Sequence, residues 1–347
     1  MALTPATILT GFLGAGKTTL LNRILQEPHG YKIAVIENEF GQESIDNDIL
    51  VQDTREQIIE MNNGCVCCTV RGDLIAALAT LARKRASGAL QFDHVVIETT
   101  GVANPGPVAQ TFFMDDDVAS NYMLDAVVTV VDAVHGMAQL DKQEEAQRQV
   151  GFADKILLSK TDAAPAAETE ALTARIKRMN PRASIIKSDF GKVPLNEVLD
   201  LRGFNLNDKL EIDPSFLQED EDEHEHHHHE HDCDEHCDHG HDHHHAHHHD
   251  EIQAFAFKSE RPFDSLKLDE FLGGIVQVYG PQMLRYKGVL WMKGAERKVV
   301  FQGVHQMMGT DLGAKWSDTE TRGSKMVFIG KNLPKDIFIR GLEQCLV

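Results

Sequence analysis

The sequence predicts an α/β protein, with a mainly parallel sheet flanked by helices and a small α+β C-terminal domain. Three observations predict it. Short apolar runs alternate with helical stretches through the first 200 residues. The alternation then gives way to an acidic, His-rich stretch. Beyond residue 252 it resumes with more strands than helices. A chain of 347 residues also exceeds the usual single domain. The expected divisions are 1–204, 205–251 and 252–347.

In the first division, runs 6–10, 32–37, 93–98, 126–132 and 155–159 are rich in Val and Ile and of strand length. Stretches 18–26, 73–86, 139–150 and 168–179 have helical composition. Such alternation implies parallel strands with right-handed crossovers and helices on both faces. The middle division has almost nothing apolar, so it is expected to be a linker without a core. In the last, 252–257, 285–291, 298–302 and 326–330 read as strands, and 265–279 and 334–345 as helices.

Hydrophobic residues make up 42% of the chain, which excludes global disorder. A formal charge of −20 argues against a nucleic-acid backbone binder, which needs Lys and Arg in excess. That charge is local. Residues 219–251 carry 14 Asp and Glu with no Lys or Arg, and 15 of the 19 His, leaving −6 elsewhere. Six Cys in so large a chain do not make a disulfide framework. With no signal-peptide pattern and no spanning apolar run, the expectation is a cytoplasmic protein without a membrane partner.

The segment Gly11-Phe-Leu-Gly14-Ala15-Gly16-Lys17-Thr18-Thr19 fits the phosphate-binding loop, placed between a strand and a helix. Glycines let backbone N–H groups wrap phosphates, and the helix N-terminus favours the anion. Lys17 is expected at the β- and γ-phosphates and Thr18 at Mg²⁺. The strand ending at Glu98 runs into Thr99-Thr100-Gly101, whose Gly101 amide stands where a γ-phosphate is sensed. Ser159-Lys160-Thr161-Asp162 matches the N-K-x-D element with Ser for Asn. Its carboxylate accepts from the N1–H and 2-amino group of guanine, a donor pair that adenine lacks, so GTP and GDP are favoured over adenine nucleotides.

Cys65, Cys67 and Cys68 lie within four residues in a polar loop, close enough for one thiophilic ion such as Zn²⁺. Buried structural thiols or a redox pair are the alternatives. Glu37, in the segment Glu37-Asn-Glu39-Phe-Gly, is a further candidate ligand. The second metal feature is the His tract, including His226, His228, His243 and His245, with Cys233 and Cys237. Its mixed imidazoles, thiols and carboxylates suit several exchangeable Zn²⁺, Co²⁺ or Ni²⁺ sites. Glu39 and Glu98 are both candidates to orient an attacking water, with Lys17 stabilising charge.

These segments, in this order, resemble the CobW-like P-loop GTPases, which are related to the urease and hydrogenase nickel-insertion GTPases. The resemblance implies a P-loop NTPase domain, a CobW-type C-terminal domain and slow GTP hydrolysis modulated by metal. It also implies Lys17 and Thr18 on phosphate and Mg²⁺, Lys160 and Asp162 on guanine, and Cys65, Cys67 and Cys68 on metal. The expected function is a GTP-hydrolysing metallochaperone for zinc that delivers to a client metalloprotein. A storage or buffering protein based on the His tract is the alternative, with the GTPase governing assembly as a homodimer or metal-dependent oligomer. A small-molecule kinase would leave Ser159–Asp162 and the thiol loop unexplained.

Overall fold

A computed structural model describes residues 3–27, 30–37, 58–60, 70–203, 250–317 and 320–347. Glu39, Cys65, Cys67, Cys68, His226, His228, Cys233, Cys237, His243 and His245 lie outside the described residues, as does most of 205–251.

The first sheet has seven strands in the order β3-β2-β4-β1-β5-β6-β7. They are β1 (Thr4–Gly11), β2 (Ile33–Glu37), β3 (Ile58–Glu60), β4 (His94–Glu98), β5 (Tyr122–Asp132), β6 (Lys155–Ser159) and β7 (Ser184–Lys187). Their pairings are parallel. Helices α1 (Lys17–Gln26), α2 (Val70–Ala86), α3 (Pro105–Met114), α4 (Asp116–Asn121), α5 (Gly136–Lys142), α6 (Glu144–Phe152) and α7 (Ala166–Met179) connect them. Strands β1, β4 and β5 are buried on both faces, which explains their unbroken apolar runs. The chain builds β2 and β4 on one side of β1, then β5 to β7 on the other. That reversal opens a crevice at the C-terminal strand ends, where ligands of such sheets sit.

The second sheet is antiparallel, in the order β11-β10-β9-β12-β8. Its strands are β8 (Ile252–Ser259), β9 (Met283–Leu290), β10 (Arg297–Val304), β11 (Met307–Lys315) and β12 (Ser324–Lys331). With it go α8 (Ser265–Tyr279) and α9 (Lys335–Gln344). In β12, Met326 and Phe328 join the core shared with these helices, while Val327 and Ile329 join the core of the first sheet. The period of two thus places one strand in two cores, and the run reads as continuously apolar.

The two sheets meet across α6. A Cβ on Gly151 would lie 2.7 Å from Leu284 Cδ1, so the absent side chain is what allows the approach. Beside it, Arg285 donates to Asp154 at 2.8 Å and to Phe152 O at 3.3 Å, with both charged residues nearly buried. Lys331 bonds Glu144 at 2.6 Å at the other end of α6. Two clamps bracket the segment between the divisions. Asp125 accepts the N–H groups of Leu201 and Arg202. Arg175 grips Asp250 at 2.6 Å and Asp141 at 2.7 Å.

Fewer elements were expected than are present. β3, β7, β11, α3 and α4 are additional, and the single helix anticipated over 139–150 is two. It breaks at Gln143, which is extended (φ −128°, ψ 112°).

At the opposite end of the sheet from the crevice, His94 is wholly buried. Its Nε2 is 2.8 Å from the Thr7 hydroxyl, which donates to Asp125 at 3.1 Å. Burial holds the imidazole down at about 4, against the opposing pull of Asp200. A histidine depressed this way contributes stability in full above pH 6.5. The contribution falls with pH and is gone below about 4. Urea unfolding should therefore show a loss of ~3 kcal/mol across that window. In His94→Gln this component of the pH dependence should disappear.

Candidate nucleotide and metal site

The phosphate loop leaves β1 at Gly11, whose φ is +143°. A Cβ there would lie 2.3 Å from Val130 O, so only glycine lets β1 turn this close to β5. Gly14 and Gly16 also take positive φ. The turn delivers the N-terminus of α1 with Lys17 as its first residue. The Lys17 amine is buried and donates to Gly11 O at 2.8 Å and Phe12 O at 3.4 Å. Burial lowers its pKa and the Glu98 carboxylate works against this. A desolvated ammonium so placed would gain strongly from phosphate oxygens.

Thr18 Oγ1 donates to Glu98 Oε1 at 2.9 Å. A hydroxyl and a carboxylate side by side at the phosphate loop are hard oxygen donors, which fits Mg²⁺. Glu98 stands in register with Glu37 on the next strand. The acid expected on the metal side is therefore one strand from the acid on the nucleotide side.

The segment after β4 is fixed from both sides. Thr99 Oγ1 donates to Thr10 Oγ1 at 2.8 Å. Gly101 lies against the phosphate loop, where a Cβ would fall 2.6 Å from Leu13 N. Gln149, buried on α6, donates to Gly101 O at 3.1 Å and Ala103 O at 3.0 Å. The helix that touches the second sheet thus also holds the segment expected to sense the γ-phosphate.

On the other side of β1, Ser159 closes the gap to the phosphate loop. Its hydroxyl donates to Ala15 O at 2.6 Å and lies 3.3 Å from Val131 O. Lys160 has φ +56° and donates to Gly14 O at 2.9 Å and to the buried Asp132 carboxylate at 2.6 Å. Asp189 accepts from the Thr161 amide at 2.6 Å and its hydroxyl at 2.7 Å, bracing the loop that carries Asp162. A cavity of about 290 Å³ opens here. Ala15, Gly16, Thr19, Ser159, Lys160 and Asp162 line it, together with Phe190.

Gly11, Gly14, Ala15, Gly16, Lys17, Thr18, Thr19, Glu98, Gly101, Ser159, Lys160 and Asp162 therefore meet along one crevice. Glu37 stands at its rim, at the end of β2. Sequence reasoning missed Asp132, Gln149, Asp189 and Phe190. Asp132 had a signal, a carboxylate ending an apolar strand as Glu98 does. Gln149 and Asp189 had none, since each acts on backbone far away in sequence.

The Ser159 bond is testable. Ser159→Ala leaves the Ala15 carbonyl buried without this donor, at a cost of ~1–3 kcal/mol. Denaturant unfolding should show that loss, and nucleotide dissociation should quicken because the base and phosphate loops are no longer tied.

Comparison with known proteins agrees with this geometry. Residues 5–187 match the CobW/HypB/UreG nucleotide-binding domain, and residues 252–346 match the cobalamin synthesis protein cobW C-terminal domain. The chain is 40% identical over 331 residues to the zinc chaperone YjiA of Escherichia coli, with 95% of each chain covered. It is 32% identical over 377 residues to the zinc chaperone CobW of Pseudomonas aeruginosa, covering 100% of this chain and 92% of the relative. The crystal structure of Zn(II)-bound YjiA GTPase from E. coli superposes with a TM-score of 0.78 at 35% identity, with all of both chains covered. With both domains matched and a relative 40% identical over nearly the whole chain, the chain belongs to the CobW/HypB/UreG family of P-loop GTPases.

Proposed function

We propose that this protein is a GTP-hydrolysing metallochaperone that binds zinc at Cys65, Cys67 and Cys68 and delivers it to a client metalloprotein. The observation that carries the reading is the register of Glu37 with Glu98. Glu98 holds Thr18 beside the phosphate loop, and Glu37 begins the segment that leads away towards Glu39. A change at the γ-phosphate is thereby one strand away from a candidate metal ligand. Relatives that span nearly the whole chain are named zinc chaperones, which supports zinc as cargo.

In this reading Lys17 and the loop amides stabilise charge on the transferring phosphoryl group while water attacks the γ-phosphorus in line. Thr18, with Glu98 beside it, would hold Mg²⁺, which would supply further neutralisation of the phosphate oxygens. Glu39 or Glu98 orients the attacking water. Asp162 selects guanine. The His tract, with His226, His228, Cys233, Cys237, His243 and His245, collects ions and raises their local concentration. By linkage, zinc must shift nucleotide affinity by the factor with which nucleotide shifts zinc affinity.

Zn²⁺ affinity should differ roughly 5- to 150-fold between GTP- and GDP-loaded protein. Cys67→Ala should abolish the difference, and Zn²⁺ should change the rate of GTP turnover. Equal affinities in the two states would remove the coupling. Separately, Asp162→Ala should weaken GTP at least roughly tenfold in competition assays while leaving ATP unchanged.

A further inference from the structure

Phe190 is the least expected side chain in the crevice. Its ring is 68% exposed, an unfavourable position for a phenyl group on a polar surface. Its backbone is in the left-handed region (φ 54°, ψ 30°), which a bulky residue adopts only when its surroundings impose it. Those surroundings are rigid. Asp189 just before it is bound twice by Thr161. Gly191 just after it packs on α1, where a Cβ would lie 3.1 Å from Leu20 Cα. The Gly191 amide donates to Ser188 O, and the Lys192 amide to Asp189 O. The fold thus holds an aromatic ring at the mouth of the cavity lined by Lys160 and Asp162.

A second part of the cavity lining is also fixed. Two acceptors, Gly14 O in the phosphate loop and Asp132 at the end of β5, hold the Lys160 ammonium, and Lys160 lines the cavity. A flat, hydrogen-bonding ligand between a phenyl face and an alkyl stem, with a carboxylate at its edge, has the chemistry of a purine base.

We propose that Phe190 is a nucleotide-affinity residue, stacking on the guanine base opposite the Lys160 stem. This rests on the GTPase reading above and adds to it. Asp162 tells guanine from adenine, whereas Phe190 supplies base-independent affinity, because every purine has a π-face. Phe190 takes no part in bond making, so it acts on binding and not on the chemical step.

The test compares wild type, Phe190→Ala and Phe190→Tyr in the full chain. GTP, ATP and tripolyphosphate affinities are measured by calorimetry, and GTP turnover by phosphate release. Phe190→Ala should lose roughly 5- to 150-fold in affinity for GTP, the equivalent of ~1–3 kcal/mol for one base–aromatic stack. ATP should weaken by the same factor. Tripolyphosphate, which has no base, should bind as before. KM should rise with kcat within twofold, and Phe190→Tyr should restore wild-type binding. GTP affinity of Phe190→Ala within twofold of wild type overturns the proposal, as does a parallel loss for tripolyphosphate. Failure of the wild type to prefer GTP over ATP would instead overturn the guanine reading itself, leaving the stacking result to be read from both purines.

Discussion

The hydroxyl of Ser159, donating to the carbonyl of Ala15, is the bond on which the crevice depends. It joins the end of β6 to the phosphate loop that follows β1, although the two strands are separated by β5. Lys160 repeats the tie one residue on through Gly14 O. The phosphate loop and the loop carrying Lys160 and Asp162 are thereby one tied unit, preorganised before any ligand arrives. Serine is short, so it does this only because β6 brings its backbone close. The position asks for a donor that can reach the loop, and a hydroxyl is enough.

From that unit the geometry spreads in one direction. Gln149 holds the segment after β4 by two carbonyls and sits in the last turn of α6, which also carries Gly151 and Phe152 against the second sheet. His305, in the turn between β10 and β11, packs its ring edge-on to Phe152 at 5.3 Å. The same helix therefore faces the nucleotide at one side and the C-terminal sheet at the other. The core is continuous across the boundary, and Val327 and Ile329 belong to it as fully as Val127 does. A rearrangement around Gly101 has a short path of packed groups into the second sheet.

How much of this was legible depended on whether a residue's job was local. The strand–loop–helix at Gly11–Thr18 is written in eight consecutive residues, and the turn at Ser159–Asp162 in four, so the place of both beside the crevice was readable from spacing. The strands β1, β4, β5 and β6 were readable because burial on both faces forces apolar runs. Strand β11 was not, since Met-Met-Gly-Thr-Asp-Leu-Gly-Ala-Lys lies mostly exposed at a sheet edge and owes its conformation to pairing with β10. Nor was the break at Gln143, where no Gly or Pro marks the end of a helix. Asp189 and Phe190 escaped for a third reason. Their roles come from a turn placed beside α1 and the Thr161 loop by the packing of β7, which sequence spacing does not reveal.

The clamps made by Asp125 and Arg175 have a consequence for how such a chain can change over generations. Asp125 fixes residues 201 and 202, and Arg175 fixes residue 250, both with groups drawn from the folded body. The chain's exit near residue 202 and its return at residue 250 are thus each anchored to the folded body. Both anchors are made by groups of the described body, so a change of length or composition between them leaves these bonds in place. Selection can therefore act on that stretch and on the crevice separately.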